Sequence, residues 1–225
     1  LYFTRDLDRD KHLRSLTGLE IEETKIVYGH QAYFGIHKLF GKEGRYITFF
    51  RNPRDRSMSH YNYCKLQYLK FGEFCSPNIL SKSGNILSFE EWFIKSEYIL
   101  SNYLVRKILS FYYNKPIVSQ AKEISGDHLK EAKRVLHEFY FVGITEQFKE
   151  DACFISRILG MPVTYRSMNI TKEKYISKRD PAVDRIMKEK SGLELDLYEY
   201  ALALNKRFKQ SEKTNACSWD LREGR

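Results

Sequence analysis

The stretch Arg51-Asn52-Pro53-Arg54-Asp55-Arg56-Ser57-Met58-Ser59-His60-Tyr61 has the residue types and order needed to hold a phosphate group. Arg51 carries a planar guanidinium fork that can grip two phosphate oxygens at once. Asn52-Pro53 is a helix start, with asparagine as the N-cap and proline at the first helical position. A helix beginning there points free backbone N–H groups and a partial positive charge at an anion. Ser59 lies eight residues after Arg51 and offers a hydroxyl donor, while Arg54 and Arg56 raise the local positive potential. The same residues allow a structural reading, in which Arg51 pairs with an internal carboxylate and Arg54 and Arg56 face water. His30, directly after Gly29, is the candidate general base, because a neutral imidazole can take a proton from a hydroxyl near neutral pH. It could equally cap a turn. His60 is a weaker candidate base: it falls inside the phosphate-binding helix and is expected to be packed or solvent-facing.

The elements around these residues predict an α/β fold. Tyr46-Ile47-Thr48-Phe49-Phe50 contains only β-branched and aromatic residues and is apolar on both faces apart from Thr48, as in a buried strand of a parallel sheet. It runs straight into Arg51, and in parallel α/β folds ligands bind at the carboxyl ends of strands. Lys25 to Gly29 is a short strand, which puts His30 on the same edge of the sheet. Phe139 to Gly143 is another buried-strand pattern. Residues 1–24 read as helix or loop. Helices are predicted from Pro53 to about Leu69, from the capping box Ser88-Phe89-Glu90-Glu91 onward, and over about 98–112, 127–138, 145–159, 181–191 and 193–210. Asp127, Thr145 and Asp180 stand where N-caps are expected. Strands separated by helices predict a parallel sheet flanked by helices. Residues 1–210 form one domain on this reading, and 211–225 a loose tail with Trp219 as its one possible anchor.

Composition bounds the function. The 225 residues carry 38 Lys and Arg against 29 Asp and Glu, a net charge of +9, which favours an anionic partner without naming it. With 42% hydrophobic and 30% charged residues, the chain is a globular protein and not a disordered tail. No run approaches the roughly 20 apolar residues of a spanning helix. The chain opens on Leu1-Tyr2-Phe3 without a methionine, so residue 1 is not expected to be the natural start. Cys64, Cys75, Cys153 and Cys217 lack metal-ligand spacing. They read as free thiols in a reducing compartment or, alternatively, as a Cys64–Cys75 bridge in an oxidising one.

The Arg51 stretch resembles the Arg-Asp/Asn-Pro-x-Glu/Asp-Arg-x-x-Ser-x-Tyr element of sulfotransferases that use 3′-phosphoadenosine 5′-phosphosulfate (PAPS). The similarity is greatest to the carbohydrate branch, which includes heparan sulfate 2-O-sulfotransferases and many bacterial sulfotransferase-family proteins. Gly29-His30 stands where that branch has a Gly-His element. Asn102 and Arg106 fall in an Asn-x-x-x-Arg pattern, Phe141 to Phe148 resembles a Val-Gly-x-Thr-Glu-x-Phe segment, and Leu195 to Ala201 resembles the closing Asp-x-x-Leu-Tyr helix. The resemblance runs from about residue 25 to about 205. It implies a P-loop-like parallel sheet, PAPS as co-substrate, no metal, Arg51 and Ser59 on the 3′-phosphate, and His30 as catalytic base. It further implies that Asn102 and Arg106 bind substrate. Ser167, Asn169 and Thr171, in a basic stretch from Tyr165 to Lys178, would touch the cofactor's phosphate or adenine, although a solvated loop fits them as well.

One departure stands against this match. The family's Pro-Lys-Thr/Ser-Gly loop, which cradles the 5′-phosphosulfate, has no counterpart before Gly29. Ser81-Lys82-Ser83-Gly84-Asn85 has a similar look, but it follows the Arg51 element and reads as a surface loop. The expectation is a chain truncated at its N-terminus, with the first strand and that loop missing. The expected partner is a carbohydrate or other hydroxyl acceptor, an anionic one included, and no nucleic acid. A membrane anchor could lie only in the missing segment, and the compartment is cytoplasmic for a bacterial source or the Golgi lumen for a eukaryotic one. The other readings are an inactive sulfotransferase fragment and a non-catalytic module for acidic glycan or nucleic acid. The alternation of acids and bases along the chain weakens the module. A kinase-like P-loop enzyme is disfavoured by the absence of GxxxxGK[ST].

Overall fold

The computed structural model describes residues 2–3, 18–24, 26–28, 32–114, 123–160, 174–176 and 180–211. Strand β1 (Tyr2–Phe3), helix α1 (Gly18–Glu23) and strand β2 (Val27–Tyr28) come first. Strand β3 (Ile47–Phe50) leads into helix α2 (Pro53–Phe71). Helices α3 (Phe89–Lys95), α4 (Glu97–Leu100), α5 (Tyr103–Tyr113) and α6 (Gly126–Leu136) follow. Strand β4 (Phe141–Ile144) precedes helices α7 (Phe148–Leu159), α8 (Pro181–Lys190) and α9 (Gly192–Ser211).

The expected parallel α/β layer is present around β3 and β4, which pair in parallel with Ile47 opposite Phe141 and Phe50 opposite Ile144. Alternation along these strands divides their side chains between two helical layers. Phe50, Val142 and Ile144 pack with the apolar faces of α5, α6 and α9. Ile47, Phe49 and Phe141 pack instead on α7, through Phe154 and Ile155. A second apolar cluster joins α2, α3 and α8 through Met58, Tyr61, Trp92, Phe93, Val183 and Ile186.

The predicted elements need four corrections. First, β2 pairs with β1, in parallel, and among the described residues it makes no ladder with β3 or β4. The layer is therefore two short strand pairs and not one continuous sheet, and the first residues, read as helix or loop, begin with a strand. Second, β3 is only partly covered except at Phe50, whereas β4 is buried throughout. Third, the helix predicted over 98–112 breaks at Asn102, which takes the left-handed conformation (φ 49°) that asparagine tolerates better than most residues. Fourth, two caps move. Ser125, not Asp127, caps α6, with His128 Nδ1 accepting from the Ser125 N–H at 3.1 Å. Thr145 opens a short 3-10 turn, and α7 starts only at Phe148. The Ser88 capping box and the Asp180 cap form as read, and Asp180 accepts from the Ala182 N–H at 2.9 Å. The expected tail beyond Ser211, with Trp219, lies outside the described residues.

The end of β4 is held from inside. Asn205 on α9 donates to the Val142 carbonyl at 2.9 Å and to Asp151 at 3.0 Å, and Asp151 accepts the Ile144 N–H. Gly143 is required by its neighbour across the strand pair: a Cβ there would run into the ring of Phe49, which is packed on Phe148 at 5.1 Å. Gly143→Ala should therefore cost about 1–3 kcal/mol of stability, the usual range for overpacking, and a thermal melt measures it.

Candidate anion-binding site

The carboxyl end of β3 delivers Arg51 and Asn52 to the start of α2. Asn52 caps this helix as the sequence predicts, its Oδ1 accepting from the N–H groups of Arg54 at 3.0 Å and Asp55 at 3.3 Å. The first intrahelical bond runs from the Arg56 N–H to the Asn52 carbonyl at 2.9 Å. The Asn52 N–H itself donates to Glu146 Oε1 at 2.9 Å. Proline has no N–H, so the backbone donors of this turn from Asn52 to Arg56 are already in use. The expectation that free N–H groups at this helix start would grip an anion is thus corrected: the capping asparagine and the Glu146 carboxylate take them first.

The arginines divide differently from either sequence reading. Arg54 pairs with Asp184 on α8 at 3.1 Å. Arg56 pairs with Glu194 on α9 at 3.1 Å and lies over the Tyr103 ring at 4.3 Å. Glu194 is 0% exposed, and its second oxygen accepts the Tyr103 N–H at 3.0 Å. Burial holds the Glu194 carboxyl above its ordinary value, with the nearby Arg56 charge pulling the other way. Arg51, by contrast, has no hydrogen bond or ion pair to another described residue, and neither has the hydroxyl of Ser59; both are partly exposed. Ser59 lies about 9 Å along the helix axis from Pro53, at about 1.5 Å per residue. Among the described residues of this stretch, the positive group left available at the strand end is therefore Arg51.

Glu146 is the residue that sequence reasoning passed over. It stands two residues after the end of β4, and the pairing of β4 with β3 sets it beside the Asn52 turn. Its second oxygen accepts from the Tyr198 hydroxyl on α9 at 3.0 Å. Burial and this bond raise the Tyr198 phenol above its usual value. One carboxylate thus ties the Arg51-Asn52 turn to both the neighbouring strand end and the closing helix. An acid two residues past the end of a buried strand was the available signal.

The other site residues fall as follows. His30, Ser167, Asn169 and Thr171 lie outside the described residues. The chain beyond Thr171 returns to α2: the Tyr175 N–H donates to Asn62 Oδ1 at 3.0 Å, and Lys65 lies over the Tyr175 ring at 5.0 Å. Asn102 is half-buried and Arg106 is buried. Asn102 Oδ1 accepts the Glu194 N–H at 3.0 Å, and its own N–H donates to Ser191 Oγ at 3.3 Å. Arg106 is 4% exposed and donates from Nε to the Ser101 carbonyl at 3.0 Å. An acceptor could reach these groups only by displacing these bonds. His60 is packed, as read: its ring lies 5.7 Å from Trp92 and Nε2 meets the Ser76 carbonyl at 3.0 Å. Burial lowers its pKa, against the Ser76 bond and together with the Arg56 charge. Ser81 to Asn85 forms an exposed turn closed by the Ser81 N–H on the Asn85 carbonyl at 2.8 Å. Among the described residues, no group of three or more His, Cys, Asp or Glu is placed to hold a metal ion. No helix among them is long and apolar enough to cross a membrane.

The chain is 28% identical over 195 residues to a protein described as heparin sulfate O-sulfotransferase from Drosophila melanogaster, covering 79% of this chain and 53% of the relative. It therefore spans about half the length of that curated relative. No family model matches the chain. The described residues of this chain form a mixed α/β frame with a short parallel strand pair flanked by helices.

Proposed function

We propose that this chain transfers a sulfuryl group from PAPS to a hydroxyl of a carbohydrate. The observation that carries the proposal is Arg51: at the end of a parallel strand, beside a capped helix start, it is the arginine of its stretch not engaged by a carboxylate among the described residues. Arg51 and Ser59 would hold the 3′-phosphate, with Asn169 and Thr171 contributing from the stretch that leads back to α2. His30 would take the proton from the acceptor hydroxyl as its oxygen attacks sulfur. The bond from sulfur to the 5′-phosphate oxygen breaks, and the products are a sulfate ester and 3′-phosphoadenosine 5′-phosphate. No covalent enzyme intermediate and no metal is invoked. Asn102 would serve the acceptor side indirectly, by holding the start of α5 against the start of α9, and Arg106 by fixing the Ser101 turn before α5. The relative's name and the net charge of +9 favour an anionic sugar polymer as acceptor.

The proposal is tested by comparing two nucleotides by calorimetry. 3′-Phosphoadenosine 5′-phosphate should bind at least about tenfold more tightly than adenosine 5′-phosphate, because only the former offers Arg51 a 3′-phosphate to engage through charged hydrogen bonds. Equal affinities, or binding of both that simply fades with salt, would instead favour a non-catalytic anion-binding module.

A further inference from the structure

The segment after α2 doubles back along the helix that carries Ser59. Gly72 ends α2 in the left-handed conformation (φ 64°), and the N–H groups of Gly72 and Glu73 close on the carbonyls of Tyr68 and Gln67. The returning chain then meets α2 at successive turns. The Phe74 ring packs on Tyr68 at 5.7 Å, and the Ser76 carbonyl meets His60 Nε2 at 3.0 Å. Tyr68, Cys64 and His60 recur every four residues, on one face of the helix. Phe74, Cys75 and Ser76 are consecutive in the returning chain, so Cys75 is bracketed by these two contacts and set against Cys64. Both cysteines belong to the apolar cluster around Met58 and Trp92, Cys64 at 1% exposure and Cys75 at its edge.

We propose that Cys64 and Cys75 are a disulfide-forming pair, which locks the returning segment onto the phosphate-site helix when the protein meets a disulfide oxidant. This inference is independent of the sulfotransferase reading. Cys75 acts first: it is the more exposed, whereas burial among apolar side chains raises the Cys64 thiol and suppresses its thiolate. The Cys75 thiolate attacks a small-molecule disulfide, such as oxidised glutathione. The oxidant's S–S bond breaks, a mixed disulfide forms on Cys75, and one thiolate leaves with the proton Cys75 gave up. The Cys64 sulfur then attacks the Cys75 sulfur, loses its proton, and expels the second small thiolate, which takes that proton. Two protein thiols are oxidised, and one small disulfide is reduced to two thiols.

The test treats the folded protein with oxidised glutathione, alkylates the remaining thiols with N-ethylmaleimide, and maps peptides by mass spectrometry. The expected result is loss of two alkylatable thiols and a peptide pair joined through Cys64 and Cys75. The melting temperature should rise by roughly 5–10 °C, and a thiol reductant should reverse the rise. Cys64→Ser should instead stop at a glutathione adduct on Cys75 and show no rise. Adducts on Cys75 in the unmodified sequence without an internal bridge, or a bridge through Cys153 or Cys217, would overturn the proposal.

Discussion

Replacing Arg56 with methionine should destabilise the fold by about 3–5 kcal/mol at neutral pH, the cost of breaking a buried ion pair from one side. Glu194 would remain, at 0% exposure, with a charge that no cation offsets. Backbone N–H groups, those of Tyr103 at 3.0 Å and of Leu104, would have to carry that charge without a cation. The stem of methionine replaces much of the apolar volume of Arg56 over the Tyr103 ring, so the loss reports on charge more than on packing. The pH dependence follows from the direction of the Glu194 shift. Burial already holds its folded pKa above the unfolded value, so the protonated form is the one that folding favours. The stability contributed by that shift is present below the ordinary carboxylate pKa of about 4.3 and is lost as pH rises through the folded value. Removing Arg56 raises the folded value further. The difference between Arg56→Met and the parent should therefore be largest at neutral and alkaline pH and should shrink on acidification. Urea titrations at several pH values measure it. The double variant Arg56→Met/Glu194→Gln should recover much of the loss. A pH-independent loss, or one below about 1 kcal/mol, would show that the pair is not the buried clamp drawn here.

Arg51→Ala should behave in the opposite way. Without a described partner, Arg51 contributes little to stability, and the melting temperature should stay within a degree or two of the parent. Binding should suffer instead. A guanidinium engaging a phosphate through charged hydrogen bonds is worth about 1.5–3 kcal/mol, so affinity for 3′-phosphoadenosine 5′-phosphate should fall by about ten- to hundredfold. Affinity for adenosine 5′-phosphate, which lacks the 3′-phosphate, should hardly change. Lys at this position should recover only part of the loss, since it offers a point charge in place of a fork. Unchanged affinity for the bisphosphate would remove Arg51 from the site. The contrast between two arginines five residues apart, one affecting stability and the other binding, is the sharpest test of the structure.

Local chemistry was readable without coordinates. The β3 strand, the Asn52-Pro53 helix start, the Ser88 capping box and the Asp180 cap each depend on neighbours within a few residues, and each forms. The outcome at the phosphate turn was not readable. The Asn52 cap takes the Arg54 and Asp55 N–H groups locally, but whether the Asn52 N–H is free depends on Glu146, 94 residues away from Asn52 in the chain. Whether Arg51 or Arg56 is paired depends on Glu194, 138 residues from Arg56. The break at Asn102 was hidden for the same reason. Apolar periodicity runs through it, and its partners Lys190, Ser191 and Glu194 lie nearly 90 residues or more along the chain.

The sequence by itself determined which side chains could bind a phosphate and on which element they ride, because strand propensity, capping and helix periodicity are short-range properties. Tertiary structure decided which of those side chains remain available. Pairing of β3 with β4 brings Glu146 to the Asn52 turn, and packing of α8 and α9 on α2 brings Asp184 and Glu194 to Arg54 and Arg56. A buried charge must find an opposite charge wherever the fold places one, and the carboxylates that satisfy two of the three arginines come from helices more than a hundred residues later.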